Sequence, residues 1–227
     1  MAVLRPFKSL RPRKDLVHKV AALPYDVMSS EEARSMVKDN PYSFLHVDKA
    51  EIDLDRSIDL YDQRVYEKAR ENLTRMIHDG IYIKDKSSCF YIYKLVMDGR
   101  EQTGIVGCTS IDDYQNNIIK KHELTREDKE LDRIKHVDYC NAHTGPIFLT
   151  YRSKKEINDM IEFWMKNNDP IYDFTAEDNI RHIVWMIDDQ SVIDQIKDVF
   201  NKIDYLYIAD GHHRAASAVK VGLKRRE

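Results

Sequence analysis

The sequence predicts an α+β fold with a mixed sheet and flanking helices. In the first half, two runs rich in β-branched and aromatic residues meet at Asp98-Gly99, which is a strong hairpin signal. In the second half, strand-like and helix-like runs alternate. With 227 residues and 42% hydrophobic content, the chain can bury a substantial core. We therefore expect a single large domain over 1–227, with an N-terminal subdomain (1–110) and a second subdomain (111–227).

Local signals predict the elements of the first half. The first 28 residues read as irregular and end in "LPYDVMSS", where Pro24 favours an extended backbone. Ser29 or Ser30 can cap the short helix "SEEARSMVKD", and "YSFLHV" is predicted to be a strand. A long helix is predicted over 55–79, because apolar residues recur every three or four positions and Gly80 suits a C-terminal cap. These apolar residues are Ile58, Tyr61, Val65, Ala69, Leu73 and Met76.

In the second half, predicted helices alternate with predicted strands. The segment 112–141 is highly charged and helical in pattern, and the strand "GPIFLTY" follows it. A helix over 154–166 precedes the strand "IRHIVWMID", the helix "QSVIDQIKDVFNKI" and the strand "DYLYIAD". The chain ends at "VGLKRRE", just past one helix, so we expect a C-terminal part of the protein to be absent from it.

Composition limits the function classes. Lys plus Arg (36) nearly balances Asp plus Glu (39), so the net charge of −3 gives no general reason to expect nucleic acid or an anionic membrane as partner. No stretch approaches the roughly 18 apolar residues of a membrane span, and the start "MAVLRPFKSLRPRKDL" has no apolar h-region, so neither membrane insertion nor export is expected. Cys89, Cys108 and Cys140 suit neither a disulfide framework nor a zinc knuckle, so a reducing cytoplasm is expected.

Five consecutive residues suit an anion site: Asp210, Gly211, His212, His213 and Arg214. Gly211 ends the predicted strand, and the alanine-rich run after it predicts a helix, so the turn is also a helix N-terminus. The first N–H groups of a helix have no partner within it, and the helix dipole adds about half a positive charge there. An anion, most simply a phosphate, would therefore be stabilised at this turn. The simpler interpretation makes Asp210 a cap, buries one histidine and pairs Arg214 with a surface acid.

A second candidate group lies in the charged stretch "IIKKHELTREDKELDRIKH". Read as a helix, most of its residues would form salt bridges on a solvated face. The exception is Lys121-His122-Glu123, which stands at the predicted helix start, just after Ile118-Ile119. A carboxylate there would be partly buried, with its proton affinity raised, as a general base acting on a hydroxyl needs. Lys121, His122, Thr125 and Arg126 are candidate substrate contacts.

Neither a zinc site nor a glycine-rich phosphate loop is predicted. In "HELTR", Arg126 stands where a zinc-binding H-E-x-x-H helix needs its second histidine. The adjacent side chains of His212 and His213 project in different directions, which does not suit a shared metal ion.

Along almost its whole length the chain resembles the domain of unknown function 1015 family of bacteria and archaea. The resemblance rests, in this order, on "LRPFKSLRP", "LPYDVMSSEEAR", "NPYSFLHV", "YEKARENL", "TGIVG", "KKHELTREDKELDR", "GPIFLTY" and "YIADGHHRAASA". Members of the family are generally longer, which again implies a missing C-terminal part.

A narrower resemblance bears on chemistry. The motif K-x-H-E, ending at Glu123, and the later D-G-H-H-R, starting at Asp210, are similar to the free serine kinases of the ParB/sulfiredoxin superfamily. Those enzymes phosphorylate the hydroxyl of L-serine from a nucleotide. The resemblance implies a ParB/sulfiredoxin-like core with an insertion, because the two motifs stand 87 positions apart (210 minus 123). Sulfiredoxin uses a cysteine after the glycine of the turn, and His212 stands there, so its redox chemistry is not implied.

The same resemblance assigns roles to residues. Glu123 would be the base and Asp210 a catalytic residue and metal ligand. Gly211, His212, His213 and Arg214 would hold the nucleotide phosphates. The implied cofactors are Mg²⁺ with ATP or ADP.

Three functions are compatible with these motifs. The first is a phosphotransferase acting on the hydroxyl of a small molecule, with free L-serine as the acceptor that the resemblance implies. The second is a non-enzymatic, ParB-like nucleotide-binding switch, in which Glu123 would be dispensable; the balanced charge and the lack of a helix-turn-helix count against a DNA role. The third is an interaction protein with a degenerate site.

Overall fold

Helices form where apolar residues recur at helical spacing and a polar side chain caps the first turn. The computed structural model of the chain describes residues 1–227 and contains nine α-helices. They are α1 (Val17–Val20), α2 (Ser30–Met36), α3 (Leu45–Asp48), α4 (Gln63–His78), α5 (Ile111–Gln115), α6 (Glu127–Cys140), α7 (Lys155–Asn167), α8 (Gln190–Phe200) and α9 (His212–Lys224). Two 3₁₀ helices, Tyr25–Val27 and Ala50–Asp53, precede α4. Side-chain caps are made by Ser29 at α2, Asp62 at α4 and Asp189 at α8.

Eleven short strands form several small sheets, so the fold is mixed α+β, as the sequence predicts. The strands are β1 (Leu4–Arg5), β2 (Leu10–Pro12), β3 (Tyr82–Lys84), β4 (Phe90–Met97), β5 (Arg100–Val106), β6 (Cys108–Thr109), β7 (Ile119–Lys120), β8 (Phe148–Thr150), β9 (Tyr172–Thr175), β10 (Arg181–Ile187) and β11 (Leu206–Asp210). No helix is both long enough and apolar enough to cross a membrane.

The internal contacts of the chain divide it into two compact units. Unit 1 comprises residues 1–18, 84–120 and 149–207. Unit 2 comprises residues 19–83, 121–148 and 208–227. Each unit is therefore assembled from three segments that are distant in sequence.

The largest sheet of unit 1 has the antiparallel strand order β5-β4-β10-β9. The predicted hairpin is confirmed: Met97 pairs with Arg100, which leaves Asp98-Gly99 as a two-residue loop. Both loop residues have positive φ (50° and 77°), as a turn matched to the right-handed twist of the strands requires. Alternate residues of β10, namely Ile183, Trp185 and Ile187, are buried.

A smaller sheet places β11 between β7 and β8. β11 runs parallel to β7, with Leu206 opposite Ile119 and Tyr207 opposite Lys120. Leu206 and Ile208 are both buried, which matches the apolar face predicted for this strand. Asp210, the last residue of β11, is followed in the chain by Gly211 and then by α9.

Unit 2 is mainly helical. α9 packs against α6, α6 packs against α4, and α4 packs against α3. Four of the apolar residues predicted to line α4 are buried, namely Val65, Ala69, Leu73 and Met76. The small side chains of Ala215 and Ala216 on α9 are also buried, which lets α9 lie close to its neighbours.

Two sequence-based predictions in unit 2 are wrong. "YSFLHV" was expected to form a strand, but Leu45–Asp48 is the short helix α3, in which the Ser43 hydroxyl accepts a hydrogen bond from the Leu45 N–H (3.3 Å). The helix expected from residue 55 begins only at Gln63, because the Asp62 side chain caps it there by accepting from the Arg64 N–H. In both cases a local side-chain hydrogen bond outweighs the apolar pattern.

The charged segment 112–141 is less helical than its pattern predicts. It contains the end of α5, then β7, then a loop over 121–126, and only then α6. Ile119 is buried in β7, and the chain cannot be in that strand and in a continuous helix at once. Lys121, His122 and Glu123 therefore lie in a loop before α6, which corrects their predicted place at the start of a helix.

Candidate functional site

The turn between β11 and α9 has the strand, turn and helix that the sequence predicts. Gly211 stands at the N-cap of α9 with φ 88°, a left-handed conformation that favours glycine. The first backbone bond of the helix runs from the Ala215 N–H to the Gly211 carbonyl (2.8 Å), and no side chain caps the helix. The N–H groups of residues 212–214 therefore have no carbonyl partner within α9, and they concentrate positive potential at this end.

Arg214 ties this turn to the loop before β8. Its Nη2 donates to Asp210 Oδ2 (2.7 Å), and its Nη1 donates to the Pro146 carbonyl. The Arg214 side chain lies so close to two glycines that an added Cβ would stand 3.1 Å from Arg214 Cδ at Gly145 and 3.2 Å from Arg214 Nε at Gly211. Arg214 is thus held by Asp210 and Pro146, and its side chain is 17% exposed.

His212, the first residue of α9, contacts the second predicted motif. It is buried (5% exposed), and its Nδ1 lies 3.3 Å from Glu123 Oε2. The rings of His122 and His212 meet edge to face with centroids 4.5 Å apart. Nε2 of His212 is buried and has no hydrogen-bond partner within the protein. The two motifs that the sequence singled out are therefore brought together, as expected, although Glu123 has 59% of its side chain exposed, so its predicted burial is wrong.

Two further contacts hold the loop 121–126 against α9 and α6. The Arg126 backbone N–H donates to Nε2 of His213 (3.1 Å) across 87 residues of sequence. The Thr125 hydroxyl donates to Glu130 Oε2 of α6 (2.7 Å). The Arg126 side chain instead pairs with Asp128 (2.8 Å). These contacts fix the loop through its backbone and Thr125, whereas the Arg126 guanidinium is mostly exposed.

Glu130 of α6 contacts both the loop 121–126 and α9. Its carboxylate is buried (6% exposed) and also forms an ion pair with Lys220 of α9. Burial alone would raise the pKa of Glu130, but hydrogen bonds from Lys220 and Thr125 outweigh it and leave the pKa below its usual range. The Ser217 hydroxyl, also buried, bonds to the carbonyls of Glu130 (3.2 Å) and His213 (2.7 Å).

The predicted site residues thus divide into two groups. Glu123, His122 and Thr125 contact the turn or its supports, and His212, His213, Arg214, Asp210 and Gly211 form the turn itself. Lys121 lies at the start of the loop and is exposed, and the Arg126 side chain points to Asp128.

Sequence reasoning missed several buried polar residues beside the turn. α6 was interpreted as a solvated helix, yet Glu130, Arg133 and His136 are all buried. Arg133 lies 4.0 Å above the ring of Tyr25 and pairs with Asp132 (2.9 Å). These three residues are spaced three apart, which is the spacing of one helix face. The sequence did not reveal this face as buried, because charged residues occupy the buried and the exposed faces of α6 alike.

The donor chemistry of the turn suits a magnesium ion that arrives with phosphates. Mg²⁺ is typically bound by one or two carboxylates together with substrate phosphates and water. Asp210 offers one carboxylate with 69% of its side chain exposed, and one of its oxygens accepts from Arg214. No group of three or more His, Cys, Asp or Glu side chains is arranged to hold a metal ion by protein ligands alone. The residues therefore fit a nucleotide-borne Mg²⁺ and do not form a closed metal cage.

Comparison with known proteins places the chain in a family. No curated protein and no solved structure matches it. A family model described as "Protein of unknown function (DUF1015)" matches residues 4–227, which is almost the whole chain. The chain therefore belongs to this family of proteins of unknown function.

Proposed function

We propose that the protein is a nucleotide-dependent phosphotransferase that acts on the hydroxyl of a small molecule. One observation carries this proposal: the carboxylate of Glu123 lies 3.3 Å from His212, in the first turn of the helix that follows the phosphate-type turn. A base and an anion site must be this close if one small substrate is to touch both. The resemblance to free serine kinases supports the same residues, a ParB/sulfiredoxin-like core and free L-serine as acceptor.

The nucleotide phosphates would bind at the N-terminus of α9. Backbone N–H groups of residues 212–214 would donate to phosphate oxygens, and the helix dipole favours negative charge there. Gly211 has no side chain to block the approach of a phosphate to the backbone. Arg214 would add charge-assisted hydrogen bonds from an orientation that Asp210 and Pro146 already fix. His213 holds the Arg126 N–H with its Nε2, so its Nδ1 is the ring atom that would face a ligand.

The reaction would be an in-line transfer. A bond would form between the acceptor hydroxyl oxygen and the terminal phosphorus, and the bond from that phosphorus to its bridging oxygen would break. Glu123 would take the hydroxyl proton, and the shortened nucleotide would leave. Positioning and charge stabilisation would supply most of the rate, because the protein makes no covalent bond in this chemistry. A Mg²⁺ ion bound with the nucleotide, with Asp210 as its protein ligand, would supply further neutralisation of phosphate charge.

The test is direct detection of the product. The purified 227-residue chain is incubated with Mg²⁺, with ATP or ADP, and with a panel of small hydroxyl compounds that includes L-serine, and phosphorus NMR follows the mixture. A new phosphomonoester resonance that requires both nucleotide and acceptor supports the proposal. Nucleotide binding without any transfer would favour the ParB-like switch, and the absence of nucleotide binding would favour an interaction protein.

A further inference from the structure

One backbone hydrogen bond ties the loop 121–126 to the first turn of α9, and both lie in unit 2. The Arg126 backbone N–H donates to Nε2 of His213 at 3.1 Å. A backbone N–H can only donate, so Nε2 must accept and must carry no proton. In a neutral imidazole the other ring nitrogen then carries the proton, which fixes His213 as the Nδ1–H tautomer. This bond therefore exists only while His213 is neutral.

A second set of hydrogen bonds holds the neighbouring loop residue. The Thr125 hydroxyl donates to Glu130 Oε2 (2.7 Å). The Ser217 hydroxyl bonds to the carbonyls of Glu130 (3.2 Å) and His213 (2.7 Å), so it joins the two residues that hold the loop. The consecutive residues Thr125 and Arg126 are thus bound at adjacent points on α6 and α9.

Protonation of His213 would break its bond to the loop. A protonated imidazole donates from both ring nitrogens, so two donors would face each other across 3.1 Å. Glu123 lies three residues before Arg126 in the same irregular segment, and its carboxylate is 3.3 Å from Nδ1 of His212. Release of Arg126 therefore frees the segment that carries Glu123.

The three elements that meet at His213 all contribute ionisable side chains. These are Arg214 and Lys220 of α9, Glu130 of α6, and His122, Glu123 and Arg126 of the loop. The Glu130 carboxylate attracts a positive charge on the ring, although Lys220 already pairs with it. Arg214 and the positive N-terminal end of α9 repel such a charge. Protonation of His212 would strengthen its contact with Glu123, so release of the loop on acidification is specific to His213.

We propose that His213 is a positioning residue that keeps Glu123 in place only in its neutral form. Acidification through the range in which histidines gain a proton then releases the loop 121–126 and lowers the activity of the site. The effect on activity rests on the proposed function, whereas the effect of His213 on the loop does not. The site therefore carries its own pH-dependent control, built from one imidazole ring and one backbone N–H.

Hydrogen exchange at the Arg126 amide tests this control without any ligand. In the 227-residue chain its protection factor should fall by about 3- to 10-fold between pH 7.5 and pH 5.5, because one hydrogen bond is lost. The Arg64 amide is the internal control, since it donates to the Asp62 carboxylate at 2.9 Å. The hydrogen bond from the Arg64 side chain holds the pKa of Asp62 well below its usual range, so this acceptor stays ionised at both pH values.

Two substitutions separate the role of the ring from a merely structural one. His213→Gln keeps an acceptor oxygen at about the reach of Nε2 and does not titrate, so protection of the Arg126 amide should become independent of pH. His213→Leu has no acceptor, so protection should be low at both pH values. The fall in turnover between pH 7.5 and pH 5.5 should also be smaller in His213→Gln than in the unmodified chain.

The unmodified chain decides the matter if neither variant folds. Equal protection of Arg126 at the two pH values would overturn the inference, and so would a long-range ¹H–¹⁵N spectrum that shows a proton on Nε2 of His213 at pH 7.5. Protection in His213→Gln that varies with pH as in the unmodified chain would assign the control to another group and overturn it as well.

A non-hydrolysable ATP analogue, titrated into the same samples, distinguishes this inference from the proposed function. If the analogue binds and protection of Arg126 does not change with pH, this inference alone fails. If protection changes as expected and the analogue does not bind, the proposed function fails and the control of the loop by His213 stands.

Discussion

Gly211 shows how much of the site depends on one backbone conformation. Its φ of 88° turns the chain from β11 into α9, and the guanidinium of Arg214 packs against the position where a side chain would begin. A side chain here would meet both a conformational penalty and a steric one. Gly211 therefore allows the backbone geometry of the turn, and the side chains of its neighbours Asp210 and Arg214 carry the charge.

Replacing Gly211 should destabilise the protein measurably. Gly211→Ala is expected to lower the free energy of unfolding by about 1–3 kcal/mol, because of the left-handed conformation and the close contact with Arg214. The matched control is Gly104→Ala, since an added Cβ at Gly104 would have no atom within 4 Å and its φ is not positive. Urea denaturation of both variants tests this. A Gly211→Ala variant as stable as the control would contradict our account of the turn.

Arg214 is expected to contribute to nucleotide affinity. Arg214→Ala should weaken nucleotide binding by about 1.5–3 kcal/mol, the range for a lost charged hydrogen bond. Because Arg214 also bonds to Asp210 and Pro146, thermal melts must show that the variant remains folded. Arg64→Ala is the control: it also removes an arginine paired with a nearby aspartate, at the exposed N-terminus of α4. Unchanged affinity in calorimetry would mean that Arg214 serves only to join the turn to the loop.

At the scale of elements, the loop 121–126 depends on α6 and α9 for its position. Thr125 bonds to Glu130, and the Arg126 N–H bonds to His213, so two helices hold one irregular segment. Without these bonds the loop has no regular secondary structure of its own to keep Glu123 beside His212. Its order is thus a property of tertiary contacts.

Removing the Thr125 hydroxyl should loosen this loop. Thr125→Val is expected to cost about 0.5–1.5 kcal/mol of stability, because Glu130 loses one hydrogen bond, and to speed hydrogen exchange at the Arg126 amide. Thr74→Val is the matched control, since the Thr74 hydroxyl bonds only to the Arg70 carbonyl of its own helix on an exposed face. Exchange at Arg126 that is equally fast in the unmodified chain and in Thr125→Val would show that the bond does not order the loop.

Elements that depend on local turn chemistry could be predicted from sequence, whereas elements that depend on tertiary contacts could not. The hairpin at Asp98-Gly99 and the strand and helix around Gly211 depend on local turn chemistry, and both were predicted. α3 was predicted as a strand, because alternation of Leu45 and Val47 suits a strand and a buried helical turn equally well. The loop 121–126 was wrongly predicted to be part of a helix. Its position depends on contacts with Glu130 in the next helix and with His213, 87 residues after Arg126, and these contacts cannot be read from the local sequence pattern.

At the scale of the whole molecule, buried ionisable groups should make stability depend on pH. Burial lowers the pKa of His136 in unit 2 and of His182 in unit 1 below the ordinary value of 6.5. The unfolded chain therefore binds protons first as the pH falls, so the stability that these neutral histidines provide is present above about pH 6.5 and is lost below it. The raised pKa of Asp48 acts in the opposite direction, because the folded state then binds the proton more readily.

We expect a net loss of stability on acidification. Between pH 7.5 and pH 5.0 the free energy of unfolding should fall by about 1 kcal/mol, because His136, His143 and His182 all have lowered pKa values and Asp48 is the one carboxyl with a raised pKa. His182→Gln should reduce this dependence, whereas His78→Gln should leave it unchanged, since His78 has 88% of its side chain exposed. Denaturant titrations at the two pH values provide the measurement. Equal stability at both pH values would show that the buried histidines do not control the acid response.

The substitution Glu123→Gln tests most directly whether the two motifs form one catalytic site. Glutamine keeps the size of the side chain and can still hydrogen-bond to His212, but it cannot accept a proton at pH 7. Calorimetry should therefore show nucleotide affinity within about twofold of the unmodified chain, while phosphorus NMR should show product formation slowed by about 10²–10⁴-fold, the range for general-base catalysis. Undiminished product formation in Glu123→Gln, or loss of nucleotide binding together with turnover, would contradict the assignment of Glu123 as the base of a phosphotransferase.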